Sequence, residues 1–426
     1  MFKKQTRIIA IDNNPDHLSI LTKNFHDNGI GCLPILYNQL SPPQTPFTNV
    51  RLAFFDINLR DTTNNSEIFN DLSNALNDYI DKENGPFALI FWTQNHAIVE
   101  DLINYINQRR SETPQPYLVK CIDKDKFLNE SLEIELGQIL SSPTLKLLLD
   151  FEENAQESAS SVINSIYNLI PKSQNWGDFS LFETNFDLIF SKIAISALGY
   201  HHAKENPDKA IYEALSPIIA NKLISSNFGT EWNSILNSLS SSKQNNQPSY
   251  PRDFNISKLN SIFHIDESIP SSKINRGVVV NVDSNDPFFK ANFDIQYTEW
   301  FARLLPGLNK SIRNESRLIA VEISASCDFS QKKPRTYKLM LGVLVKEVNA
   351  GSIESSKIPQ NLLSLDSVFN ISGENMNVFF NLNYVFSVNE SDNLLGNSLF
   401  TFKKEIMDMI GNRYANHVSR IGITSF

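Results

Sequence analysis

Cysteine is scarce in this chain of 426 residues, which contains only Cys32, Cys121 and Cys327. Because these three positions lie far apart, they form neither the CxxC spacing of a metal site nor a disulfide framework. A reduced, cytoplasmic setting is therefore predicted. The opening stretch MFKKQTRIIAID agrees with this setting, since its apolar part is too short for a signal peptide.

Long apolar runs and a surplus of positive charge are also missing. No run approaches the ~18 apolar residues of a membrane span, so no membrane partner is expected. The chain carries 38 Lys and Arg against 47 Asp and Glu, which gives a formal net charge of −9. Without a basic surplus to neutralise phosphates, and without a basic helix-turn-helix, DNA binding is not expected.

The composition that is present is typical of a globular protein, with 41% hydrophobic and 20% charged residues. The length allows two or three domains, each with its own core. We predict an α/β domain over residues 1–125, a helical region over 126–237, a linker over 238–253, and a β-rich domain with a terminal helix over 254–426.

Strand-like and helix-like stretches alternate over residues 1–125. Asn14 and Pro15, which follow the first strand, are preferred at the N-cap and the first position of a helix. Such alternation predicts a parallel, doubly wound sheet. The five predicted strands are RIIAID, GIGCLPIL, VRLAFFD, FALIFWT and YLVKCI.

Four of these strands end in, or carry, a polar residue suited to chemistry: Asp12, Asp56, Thr93 and Lys120. In a doubly wound sheet, the carboxyl ends of the strands converge at one crevice. A carboxylate that accepts a phosphoryl group, a second that holds Mg²⁺, a hydroxyl and a lysine make a consistent set. The plainer interpretation of Asp56 is a solvated turn residue or a helix cap.

The motifs around these residues resemble the receiver domain of two-component response regulators, which has a CheY-like α/β fold. IIAIDNNP is similar to the Asp-Asp metal motif of that family, and LAFFDINLRD to its phosphoacceptor motif. ALIFWTQN resembles the switch Thr/Ser motif, and PYLVK the lysine motif. The resemblance covers residues 1–125.

The resemblance implies a role for each matching residue and a set of partners. Asp56 would be the phosphoacceptor, and Mg²⁺ would be held by Asp12, Asp56 and the backbone carbonyl of Asn58. Thr93 would follow the phosphoryl group, and Lys120 would pair with it. The implied cofactor is Mg²⁺, and the implied phosphoryl donor is a histidine kinase.

The chain departs from the family's pattern in three places. Asn13 stands where the family has the second acid, which weakens Mg²⁺ binding and leaves open a pseudo-receiver that is not phosphorylated. Lys120 is followed by Cys121 instead of proline, and Lys124 is a rival for its role. A polar insertion over residues 61–85 is predicted to form a helix and a loop above the site.

The helical region over 126–237 is predicted to break near Pro143 and to end a helix at Pro171. It would serve as an adaptor on the receiver or as a surface for homo-oligomerisation. Ser, Asn, Gln and Pro dominate the linker SLSSSKQNNQPSYPRD.

The last segment has β-branched and aromatic stretches that predict an antiparallel sheet or a small barrel. These stretches are GVVVNVD, RLIAVEISASCDF, YKLMLGVLVKE and VFFNLNYVFSV. A helical stripe is predicted near the end of the chain, weakened by Gly411. Its apolar members are Phe400, Phe402, Ile406, Met409 and Ile410.

The stretch EISASCDFSQKK places Glu322, Cys327 and Asp328 together at a strand end. A buried cysteine beside a turn capped by Asp328 is one interpretation. A site for a ligand or protein, and a nucleophilic cysteine served by a distant base, are the others. The segment resembles a poorly characterised group of bacterial proteins, and that resemblance implies no activity.

Three functions remain open on the sequence. The first is a signalling protein in which Asp56 accepts a phosphoryl group and the C-terminal domain binds a partner or ligand. Receivers with unusual partner domains resemble those of bacterial antiphage systems of the two-component type, so a defence-system protein is a second expected partner. The second function is a pseudo-receiver scaffold, and the third is an enzyme with its site at Cys327 and Asp328.

Overall fold

The computed structural model describes most of the chain, and it divides the chain into two compact units. One unit comprises residues 1–159 and 223–240, and the other comprises residues 160–222 and 241–426. The described residues are 6–60, 62–93, 97–124, 137, 141–171, 175, 177, 179–226, 232–233, 236–237, 250–268, 272–282, 286–304, 310–325, 336–350, 359–389 and 394–419.

The first unit contains a parallel sheet of five strands in the order β2-β1-β3-β4-β5. Each strand pairs in parallel with its neighbours. The predicted parallel α/β layout is thereby confirmed. The strands are β1 (Ile8–Asp12), β2 (Leu33–Leu36), β3 (Leu52–Phe55), β4 (Ala88–Trp92) and β5 (Leu118–Ile122).

Helices cover both faces of this sheet, which explains why its central strands are continuous apolar runs. Helix α1 (Pro15–Asp27) covers one face, where Phe25 packs with Phe54. Helices α2 (Asn65–Tyr79) and α3 (Ile98–Arg109) contribute to the core on the other face. Helix α2 lies in the polar insertion, as predicted.

Helix α1 begins immediately after β1, for local reasons. The Asn14 side-chain oxygen accepts the backbone N–H of Asp16 at 2.9 Å, and Pro15 occupies the first turn. An N-cap of this kind satisfies one of the unpaired donors at the start of a helix. The cap therefore holds the chain that follows Asp12 in a tight turn at the carboxyl edge of the sheet.

The helical segment consists of α4 (Pro143–Leu169), α5 (Phe179–Leu198), α6 (Tyr200–Glu205) and α7 (Pro207–Ile224). The predicted break at Pro143 is the start of α4. Within the first unit, Glu152 of α4 forms ion pairs with Arg7 and with the largely buried Arg51. None of the helices in the described part of the chain combines the length and apolar character that crossing a membrane requires.

The second unit contains an antiparallel sheet of seven strands in the order β10-β11-β9-β8-β7-β12-β6. All six neighbouring pairs are antiparallel, as predicted. The strands are β6 (Ile265–Asp266), β7 (Val278–Val282), β8 (Arg317–Glu322), β9 (Tyr337–Lys346), β10 (Leu362–Ile371), β11 (Glu374–Val388) and β12 (Leu395–Phe402).

The predicted terminal helix is present as α13 (Lys404–Val418), but it begins later than its apolar stripe suggested. Phe400 and Phe402 lie in β12, which pairs with β7 and β6. Residues two apart share one face of a strand but lie on opposite sides of a helix, so the spacing of this pair is that of a strand. Between residues 256 and 350, the described part of this unit also contains helices α8 (Ile256–His264), α9 (Asp286–Phe293), α10 (Tyr297–Leu304), α11 (Lys310–Glu315) and α12 (Glu347–Ala350).

The seven-stranded sheet is curled, and helix α8 packs against both of its edge strands, β10 and β6. Helix α8 covers the β10 edge. The Asn370 backbone N–H donates to the Ser261 hydroxyl at 2.9 Å, and the Asn260 side chain donates to the Val368 carbonyl at 2.9 Å. Side chains of a helix thus satisfy groups that a further strand would otherwise pair.

Two glycines of this unit make opposite predictions for substitution by alanine. A Cβ at Gly342 in β9 would lie against the Phe379 carbonyl oxygen and 2.5 Å from Phe380 Cδ1. Gly342→Ala should therefore lower the free energy of unfolding by ~1–3 kcal/mol. Gly411 lies inside α13 with nothing within 4 Å of the added carbon, so Gly411→Ala should raise it by ~0.5–1 kcal/mol.

Urea unfolding of the two variants and the wild type measures both changes. Equal effects of the two substitutions would contradict the close approach of β11 to Gly342.

Candidate functional site

Direct pairing of β1 with β3 brings Asp12 and Asp56 together. Asp12 is the last residue of β1, Asp56 follows the last residue of β3, and the Asp56 backbone N–H donates to the Ile11 carbonyl at 2.9 Å. The strand order reverses direction between these two strands, which is where doubly wound sheets open a crevice. The exposed fraction of the residue is 0% for Asp12 and 5% for Asp56, so two carboxylates are buried side by side.

One lysine serves both carboxylates. The Lys124 ammonium lies 2.8 Å from Asp12 Oδ2 and 3.0 Å from Asp56 Oδ2. Lys124 is itself buried, at 7% exposure. Buried charges are tolerated when they are paired and hydrogen-bonded, so this cluster of two acids and one ammonium explains how both carboxylates remain under the surface.

The other oxygen of each carboxylate faces a backbone N–H. Asp12 Oδ1 accepts from Asn14 at 2.7 Å, and Asp56 Oδ1 is 3.4 Å from the N–H of Asn58. Backbone donors favour the charged form of a carboxyl group. These contacts orient each side chain so that its second oxygen is directed at Lys124.

Two aromatic side chains adjoin the cluster. The Lys124 nitrogen lies 4.8 Å from the centroid of the Trp92 ring, which is the geometry of a cation–π contact. The His17 ring meets the Trp92 ring edge-on at 6.1 Å. His17 Nδ1 is 3.6 Å from Asp12 Oδ2, so an imidazole nitrogen adjoins the carboxylate that Lys124 also contacts.

The pKa of the Asp56 carboxyl is raised above its ordinary value of 3.8. Burial is the largest cause, because it penalises the charged form. The Lys124 ammonium opposes the shift, while the neighbouring Asp12 carboxylate adds to it. The Lys124 ammonium therefore favours the ionised form of Asp56, while burial and the second acid disfavour it.

The structure places the predicted residues unequally with respect to this cluster. Asp12 and Asp56 lie in it, and Asn58 adjoins it through its backbone with an exposed side chain. Thr93 is buried directly after β4, and its backbone N–H donates to the Ile122 carbonyl at 3.0 Å. All four residues are thus positioned by the carboxyl ends of β1, β3 and β4.

Lys120 is in a different position from the one predicted for it. It lies in the middle of β5 beside Ile90, and its side chain is exposed. The lysine that contacts the carboxylates is Lys124, which follows the end of β5 at Ile122. The predicted strand YLVKCI already placed Lys120 inside a strand, so the position of the strand end was the signal that favoured Lys124.

Trp92 and His17 are the site residues that the sequence analysis missed. Trp92 occurs in a continuous apolar strand, where a tryptophan is expected to be core. His17 occupies the first turn of α1 without any accompanying motif. Their common feature is proximity to strand ends, since one precedes Thr93 and the other follows Asp12 in the next turn.

Mg²⁺ prefers oxygen ligands, and the carboxylates of Asp12 and Asp56 belong to that class. The place between them, however, is taken by the Lys124 ammonium, and the side chain of Asn13 is exposed. Among the residues that the structure describes, no group of three or more His, Cys, Asp or Glu is arranged to hold a metal ion. In this arrangement the residues do not fit Mg²⁺.

The site predicted near the end of β8 is described only in part. Glu322 is fully buried, and its Oε2 accepts the backbone N–H of Ser324 at 3.1 Å. Cys327 and Asp328 lie outside the described residues. The hypothesis of an enzyme at this position therefore stays a prediction.

Two cavities elsewhere are separate from the carboxylate cluster. A cavity of about 380 Å³ in the first unit lies between α3 and strands β4 and β5, with Arg110 and Thr113 among its lining. A polar cavity of about 560 Å³ in the second unit lies between α8 and β10. None of the predicted site residues lines either cavity.

The two lysines provide a matched pair of variants. Lys124→Met leaves two buried carboxylates without their cation, so it should lower the free energy of unfolding by ~3–5 kcal/mol. Lys120→Met changes an exposed side chain and should alter it by no more than ~0.5 kcal/mol. Urea unfolding compares them, and an equal or larger effect at Lys120 would disprove the assignment of Lys124 to the cluster.

The raised pKa of Asp56 predicts a pH-dependent difference between the wild type and Asp56→Asn. A carboxyl with a higher pKa in the folded chain makes folding less favourable as pH rises from its ordinary value of 3.8 through the raised one. Asparagine does not ionise. The free energy of unfolding of Asp56→Asn minus that of the wild type should therefore increase with pH over this window, then level off.

Urea unfolding at a series of acidic pH values measures this difference. A difference that shrinks as pH rises would mean that pairing with Lys124 outweighs burial at Asp56.

Comparisons with known proteins leave the cluster as the guide to function. No family model, no curated protein and no solved structure matches this chain. The function is therefore inferred from the geometry of the carboxyl edge of the sheet.

Proposed function

We propose that residues 1–125, which lie in the first unit, form a receiver-like signalling module and that Asp56 accepts a phosphoryl group from a histidine kinase. The observation that carries the proposal is the position of Asp56 at the junction of β1 and β3, beside Asp12 and 3.0 Å from an ammonium. The strand order and the resemblance of the motifs to CheY-like receivers support it.

The transfer is a displacement at phosphorus. An oxygen of Asp56 attacks the phosphorus, the bond from phosphorus to the kinase histidine nitrogen breaks, and that nitrogen keeps the electron pair. The Lys124 ammonium offsets the charge on the phosphoryl oxygens, because preorganised cations stabilise charge at such sites. Thr93, at the end of the adjacent strand, supplies a hydroxyl near the same edge.

The modified side chain then acts as a switch in the cytoplasm. A phosphoryl group adds charge to an edge where Asp12, Asp56 and Lys124 already contact one another, so it favours a different arrangement of Lys124 and Thr93. A shift between two such states is read by the second unit, which binds a partner or ligand. A histidine kinase or another protein of an antiphage defence system is the proposed partner.

A second candidate function is a scaffold that is never phosphorylated. The observation that favours it is the position of Lys124, which already neutralises Asp56 and Asp12 in the unmodified chain. In this case the carboxyl edge of the sheet is a permanent ion-paired surface, and the module acts by binding a protein.

Intact-protein mass after incubation with acetyl phosphate separates the two functions. We expect the wild type to gain one phosphoryl group and Asp56→Asn to gain none. Asp16→Asn is the matched control, because Asp16 is an exposed carboxylate on neighbouring α1 and its loss should leave the gain unchanged. The incubation is run both with Mg²⁺ and with a chelator, since Asn13 and Lys124 both disfavour the metal.

No gain in any variant, under conditions in which a known receiver is modified, would refute the phosphoacceptor and leave the scaffold. A gain that persists in Asp56→Asn would place the acceptor at another residue.

A further inference from the structure

The Lys124 ammonium occupies the place that a divalent cation would need. A cation shared by Asp12 and Asp56 lies between their oxygens at about 2.0–2.6 Å from each. The Lys124 nitrogen already lies between them, at 2.8 and 3.0 Å. A divalent ion and an ammonium placed together between the same two carboxylates repel each other strongly. The pair therefore holds only one of them at a time.

Lys124 is held in this position by its own surroundings. Its side chain is buried, and the Trp92 ring lies 4.8 Å from its nitrogen. In the pairing of β4 with β5, Trp92 lies opposite Ile122, and the Thr93 N–H donates to the Ile122 carbonyl. Lys124 therefore lies two residues after a residue that is fixed in the sheet. Moving the ammonium away would forfeit two ion pairs and a cation–π contact.

The sequence at the neighbouring position agrees with an ammonium in place of a metal. Asn13 supplies no charge, so the described cluster contains two carboxylates and one lysine. One ammonium leaves a single net negative charge there. Two buried carboxylates require one fixed cation, and once Lys124 supplies it, the remaining charge attracts a divalent ion only weakly.

We infer that Lys124 is the resident cation of the Asp12–Asp56 pair and that it excludes divalent cations from it. The inference concerns the site of the proposed function and rests on it for the role of Asp56. The site therefore works without a metal, and removal of the ammonium converts the two carboxylates into a divalent-cation site. Cation binding needs no phosphoryl donor, so this inference and the phosphoacceptor can fail separately.

Titration of the full chain with Mn²⁺ tests the inference. Binding is measured as the loss of the electron paramagnetic resonance signal of the free ion. The wild type should bind no Mn²⁺ that depends on Asp56. Lys124→Met should bind Mn²⁺ at least about tenfold more tightly, because a repelling charge is gone. The double variant Lys124→Met with Asp56→Asn should lose that gain, and Lys120→Met should behave as the wild type does.

Wild-type binding that Asp56→Asn abolishes would overturn the inference, and so would a Lys124→Met variant that folds yet binds no better than the wild type. Circular dichroism reports whether Lys124→Met is folded. If that variant is unfolded, the comparison of the wild type with Asp56→Asn still decides. Mn²⁺ binding by the wild type that depends on Asp56 contradicts the inference, and the absence of such binding supports it.

Discussion

The pairing of β1 with β3 is the constraint on which the polar edge of the first unit depends. It brings together two carboxylates that are far apart in the chain and buries both of them. Two acids cannot remain ionised in such a place without a cation. Lys124, two residues after the end of β5, provides that cation. The carboxylates at the ends of β1 and β3 thus require a cation, and the residue that supplies it follows the end of β5.

The identity of that cation decides what the edge can do. An ammonium carries one charge on a tethered chain, whereas Mg²⁺ carries two and brings its own waters. With Lys124 between the acids, the described residues at this edge leave Mg²⁺ no position between the two carboxylates. The uncharged Asn13 agrees with this, because two acids are easier to neutralise with a single positive charge than three would be.

The two units show different relations between sequence pattern and structure. In the first unit, helices cover both faces of a parallel sheet, so its strands are short apolar runs that stand out. In the second unit, strand β10 was not predicted, because LLSLDSVFNI has no regular alternation and its register shifts between Ser364 and Val368. Phe400 and Phe402 were assigned to a helical stripe, but their spacing of two residues is that of a strand, and both lie in β12, which pairs with β7.

The sequence by itself determined the parallel α/β layout of the first unit, the antiparallel character of the second, and the strand-end positions of Asp12, Asp56 and Thr93. These follow from local periodicity and from caps such as Asn14, which act over a few residues. Only the tertiary structure decided which lysine enters the site and that Trp92 and His17 surround it. Lys120 and Lys124 are four residues apart in sequence. The pairing of β5 with β4 places Lys120 beside Ile90, whereas Lys124 lies beyond the end of β5 and contacts the buried carboxylates.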